Sequence, residues 1–165
     1  MDFNLQRYFE LIRKSKELFD QGKLLWNYDK LENEELVRYQ MMLADDIFWQ
    51  SRKQYLQTIE AFLSQKITVE EFIQEFDHLR GLNRQALERK EKNLETKNNL
   101  QLDPKSFGFT SIISSLARTI NLFDPEIKED KPELVGYGIS EQLLRFSIKK
   151  RFLSKIREYQ YCKES

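Results

Sequence analysis

Glu75-Phe76-Asp77-His78 contains Glu-x-x-His, the unit that carboxylate di-iron bundles use twice, together with two further acids. His78 is the sole histidine of the 165-residue chain, so the second unit is missing and a di-iron centre is excluded. The Asp77-His78 pair falls short of a metal-dependent phosphohydrolase for the same reason, and His78 is expected at the surface or its boundary. Cys162 is the sole cysteine. It has no histidine near it in sequence to act as a base, and alone it forms neither a disulfide scaffold nor a cysteine zinc site. No serine or threonine sits in a glycine-rich elbow of the kind that presents a nucleophile. Gly136-Tyr137-Gly138 precedes a helix start and reads as a tight turn rather than a phosphate cradle. On this inventory the chain is expected to be no enzyme, with no catalytic residues, no metal and no cofactor.

Charge is the chemistry that remains. Lys and Arg total 27, Asp and Glu total 27, and the net charge is zero. A generic nucleic-acid binder is basic, so this balance argues against one. The zero nevertheless hides a polarity. From Ile139 to Ser165 there are seven Lys/Arg against three acids, a surplus of four. Just before it, Asp124, Glu126, Glu129, Asp130 and Glu133 form an acidic row interrupted by Lys128 and Lys131 and stiffened by Pro125. Such a row can meet Arg and Lys of a partner through charge-assisted hydrogen bonds, or imitate a phosphate backbone.

The elements that must hold these residues read as helices. Gly and Pro are scarce, apolar residues do not alternate with polar ones, and Leu, Glu, Lys, Gln and Arg abound. The spacing predicts a first helix over about Asp2 to Gln21, with Leu5, Tyr8, Phe9, Ile12 and Phe19 inward and Gly22 as its stop. An aromatic-rich loop follows over Lys23 to Leu31. Asn33 is expected to cap a second helix that runs to Ser64 or bends near Asp45-Asp46. Thr68-Val69-Glu70-Glu71 is a capping box, and Ile67 can staple onto Phe72. That helix buries Val69, Phe72, Phe76, Leu79 and Leu87, and its charged end, Arg89-Lys90-Glu91-Lys92, projects into solvent. A polar connector spans Thr96 to Ser106. The next helix carries Phe109, Ile112, Ile113, Leu116, Ile120 and Phe123 and stops at Asp124-Pro125. Ser140 caps the last, with Leu144, Ile148, Phe152, Ile156 and Tyr159 as its stripe. The fold class is all-α, read as an antiparallel four-helix bundle over residues 47–165 with an N-terminal helical extension over residues 1–46.

Two stretches carry a family resemblance. Tyr55-Leu56-x-x-Ile59-Glu60-x-Phe62-Leu63-x-x-Lys66-Ile67-Thr68-Val69-x-Glu71-Phe72-x-x-x-Phe76 resembles the first hairpin of the colicin D immunity protein family. Phe123-Asp124-Pro125-Glu126 resembles that family's Phe-acid-Pro-acid segment, and Tyr137-Gly138-Ile139-Ser140-Glu141-x-x-Leu144-Arg145 its lead into the last helix. Order and spacing agree over about Tyr55 to Tyr159. The resemblance implies a small four-helix inhibitor that covers the basic active site of a tRNA-cutting toxin domain with acids. The matching acids here are Asp124 and Glu126, with Glu129, Asp130 and Glu133 as loop neighbours.

The expected partner is therefore a basic RNase or tRNase toxin domain. Two other readings stand beside it. One is a structural or regulatory adaptor docking through the N-terminal helix and the Trp26/Trp49 region. The other is RNA binding through Lys149, Lys150, Arg151 and Lys155. No apolar run approaches the roughly 20 residues that cross a bilayer, and the start, Met1-Asp2-Phe3-Asn4, is no secretory signal. The expected location is a cytoplasm, or an organelle matrix or stroma.

Overall fold

A computed structural model describes residues 3–94, 100–128 and 138–161 of the chain. The fold is all-α. Helix α1 (Leu5–Asp20) is capped by Asn4, whose side chain accepts from the Arg7 amide, and α2 (Leu25–Tyr28) is a single turn. Then follow α3 (Lys30–Gln50), α4 (Arg52–Leu63), α5 (Val69–Lys92), α6 (Phe109–Ile120), α7 (Glu141–Ile148), a π-helical turn (Lys149–Leu153) and α8 (Ser154–Tyr161). No described helix is long and apolar enough to cross a membrane.

Local signals account for several boundaries. Glu71 N–H donates to the Thr68 hydroxyl at 3.2 Å and Thr68 N–H to Glu71 Oε2 at 2.8 Å, so the capping box forms as expected. The Ser140 hydroxyl accepts from the Leu143 amide at the start of α7. Gly22, at φ +71°, closes α1, with the Lys23 amide donating to the Leu18 carbonyl.

Other expectations need correction. Leu18 and Leu11 are buried on α1, whereas Phe19 is 69% exposed. Asp29 rather than Asn33 caps α3, its carboxylate accepting from the Glu32 amide at 3.0 Å. Helix α3 passes straight through Asp45-Asp46 and ends at Gln50. There Ser51 Oγ donates to Asn83 Oδ1 at 2.7 Å, and Asn83 Nδ2 donates to the Tyr55 hydroxyl at 3.0 Å, holding the corner against α5. Lys90, expected in solvent, turns inward to Asp46 at 2.7 Å. Helix α6 stops at Ile120, ahead of Asp124-Pro125.

The last helical run shows how spacing dictates shape. Leu144, Ile148, Phe152 and Ile156 are all buried, and they recur every four residues. An α-helix turns about 100° per residue, so each four-residue step overshoots by about 40° and three steps by about 120°. A continuous α-helix would swing Ile156 off the core. The wider π-helical turn at Lys149–Leu153 absorbs the drift and keeps all four residues on one face.

Two apolar clusters result. One joins the C-terminal end of α3 (Ile47, Phe48, Trp49) to α4 through α8, with Phe62 and Phe72 stacked at 4.3 Å between ring centres. The other joins α1, α2 and the first part of α3 to Leu94, with Leu100 and Leu102 packed against it. The connector expected to be polar thus supplies two leucines, Leu100 and Leu102, to the N-terminal cluster.

Asp45 and Asp46, 3% and 5% exposed, join α3 to the segment before α6. Asp45 accepts from the Gly108 amide at 2.8 Å and the Thr110 amide at 2.9 Å, so it caps α6 from another helix. Gly108 has no side chain to do so. Asp46 accepts from Lys90, from Gln50 Nε2 and from the Asp103 amide at 3.0 Å. Asp103 in turn accepts from the Trp49 indole at 2.8 Å.

Candidate functional site

The segment after α6 is held by two backbone bonds. The Ile139 amide donates to the Leu122 carbonyl at 2.7 Å and the Asp124 amide to the Ile139 carbonyl at 3.0 Å, a parallel bridge pairing Phe123 with Ile139. Gly138 lies beneath it. A Cβ there would stand 2.8 Å from Ile127 Cδ1 and 3.1 Å from Asp124 Cβ, so any side chain must displace Ile127 and crowd Asp124, and glycine avoids both. The bridge fastens the acidic segment to the start of α7.

Within the turn the two described acids play different parts. Asp124 is half-buried, and its Oδ1 accepts from the Glu126 amide at 2.9 Å. This side-chain turn engages one of the two carboxylate oxygens. Glu126 is exposed. Lys128 donates to the Pro125 carbonyl at 2.8 Å and so folds back over the turn's backbone. Glu129, Asp130 and Glu133 lie outside the described residues, as do Gly136 and Cys162.

The tertiary structure adds neighbours that the sequence pattern did not single out. Glu70, from the first turn of α5, and Glu141, from the first turn of α7, line a small groove of about 200 Å³ with Phe123, Pro125, Ile127 and Lys128, while Asp124 and Glu126 are not among its lining residues. Both acids stand where helix dipoles favour carboxylates, which is the only signal that could have drawn attention to them. Glu141 also pairs with Arg145 at 2.6 Å. The arrangement offers oxygen acceptors to a cationic partner.

Beyond Arg145 the surface changes sign. A groove of about 740 Å³ runs between α4 and the last helical run, with Lys66, Arg145, Lys149 and Arg157 among its lining residues. Arg145 stacks on the Phe62 ring at 3.9 Å and donates to the Phe62 carbonyl. Arg157 donates twice to Glu60, at 2.8 and 3.2 Å. Phe146 is 57% exposed at the groove, with Lys150 Nζ 5.4 Å from its ring centre.

The remaining candidates settle individually. His78 is exposed, and Asp77 beside it pairs with Arg80. Among the described residues no group of three His, Cys, Asp or Glu could hold a metal ion. Trp49 is 2% exposed and contributes no docking surface, contrary to the adaptor reading's grouping of it with Trp26. Trp26 is 51% exposed, near exposed Phe19, Leu24, Tyr28 and Leu31 in sequence. Compared with protein-family models, with curated proteins and with solved structures, the chain has no match.

Proposed function

We propose that this chain is a non-catalytic, immunity-like inhibitor that binds a basic tRNase-type toxin domain through the acidic turn at Asp124 and Glu126. One observation carries the reading. The turn that carries both acids is fastened to the start of α7 by the Phe123–Ile139 bridge, and within it Asp124 Oδ1 accepts from the Glu126 amide. A turn whose backbone is already fixed loses less freedom on binding, and its carboxylates steer a cationic partner toward it. The family resemblance at Phe123-Asp124-Pro125-Glu126 supports the same turn, and Glu129, Asp130 and Glu133 would extend it.

The test uses Asp124→Asn with Glu126→Gln. Asparagine keeps the oxygen that accepts from the Glu126 amide, so charge is removed without opening the turn. Binding of the double variant to a colicin D-type tRNase domain, or to a toxin domain encoded beside this gene, is measured at 50 and 200 mM salt. The expected result is a loss of at least tenfold and a weaker salt dependence. Unchanged affinity and unchanged salt dependence remove this turn from the site.

A further inference from the structure

We infer that the groove between α4 and the last helical run binds single-stranded nucleic acid, with phosphates on Lys66 and Lys149 and a base against Phe146. The inference stands apart from the inhibitor reading and concerns the opposite sign of charge.

The groove divides its cations into two kinds. Arg145 and Arg157 are committed, to Glu141 and the Phe62 carbonyl in one case and to Glu60 in the other. They shape the walls. Lys66 and Lys149, the other two cations of the groove, have no ion pair among the described side chains, and both are exposed. The groove therefore keeps the charge of two lysines although the chain is neutral.

Three features choose the ligand. Acidic peptides are best held by bidentate arginine forks, and both arginine forks in the groove are already occupied. Lysines act as point charges and suit phosphate oxygens, which present negative charge in every direction. Phe146, 57% exposed beside Lys149, offers the ring on which a base can stack. A base reaches such a ring only when it is unpaired, which selects single strands over duplex. The groove, about 740 Å³, is open along its length, which suits a strand laid across it.

The experiment titrates the full chain into fluorescein-labelled oligo-U and oligo-dT 12-mers and follows anisotropy at 50 and 200 mM KCl. With two phosphates neutralised, the logarithmic salt slope is about −1.4, a loss of roughly sevenfold over that range. Lys66→Glu with Lys149→Glu lowers affinity at least tenfold at 50 mM. Phe146→Ala lowers it about fivefold and leaves the salt slope unchanged, because it removes stacking and no charge. Circular dichroism checks that the variants, all at exposed positions, remain folded. Stronger binding of oligo-U than oligo-dT assigns the site to RNA, and the reverse to DNA. The inference is overturned by a flat titration, by a lysine double variant or Phe146→Ala that binds like the parent, or by poly-glutamate displacing the oligonucleotides at equal charge. Asp124→Asn with Glu126→Gln should leave this binding unchanged, so the two proposals fail separately.

Discussion

Asp45 offers the sharpest test of how this fold is held. Its carboxylate, 3% exposed, accepts from the Gly108 and Thr110 amides and so caps α6 across more than sixty residues of chain. Replacing an ordinary cap residue costs about 0.5–2 kcal/mol, and hydrogen bonds to charged groups contribute about 1.5–3 kcal/mol each. Asp45→Asn keeps one acceptor, loses the charge that favours the helix N-terminus, and turns an NH₂ toward the second amide. The expected loss is about 2–3 kcal/mol. Asp45→Ala leaves both amides unpaired, and the loss rises to about 3–4 kcal/mol. For a chain of this size about 1 kcal/mol moves Tm by about 2–4 °C, so Asp45→Asn should melt about 5–10 °C lower. Urea unfolding measures the free energy directly, and hydrogen exchange at the Gly108 and Thr110 amides localises it. A change below about 0.5 kcal/mol, the range of an ordinary surface substitution, would refute the remote cap.

Gly81 lies inside α5 with nothing within 4 Å of a Cβ added there, so Gly81→Ala should stabilise the chain by about 0.5–1 kcal/mol in urea unfolding. Gly138→Ala should do the opposite, by about 1–3 kcal/mol, because its Cβ meets Ile127 and Asp124; faster exchange of the Asp124 and Ile139 amides would show the bridge loosening. Burial, and next the charge of Glu88, pushes the Glu91 carboxyl up. An acid whose folded pKa is raised costs stability while ionised, and that cost fades as pH falls through the raised value and is gone below the ordinary value of 4.5. Glu91→Gln should therefore stabilise by only ~0.3 kcal/mol at pH 7, given its partial exposure, with no gain near about pH 4. Equal gains at both pH values would exclude ionisation as the cause.

The all-α class was readable because helix periodicity is local: Phe72 and Phe76, or Leu116 and Ile120, lie on one face whatever else the chain does. Caps at Thr68 and Ser140 were readable for the same reason, since a side chain there reaches amides only three residues away. Asp45-Asp46 looked like a place to bend, because two acids in mid-helix have no local partner. Their partners, Gly108, Thr110, Lys90 and Asp103, come from elements far along the chain, and that pairing turns a suspected break into the centre of the helix packing. The candidate sites divide in the same way. Asp124 and Glu126 stood out as neighbours in one acidic row. Glu70 meets Glu141 at one small groove, and Lys66 joins Lys149 and Phe146 at another, because helix packing brings separate segments to one surface. Residue types and spacing specify each helix and its buried stripe through contacts a few residues apart. Which carboxylates and cations share a face depends on how those stripes meet, and no local pattern records that.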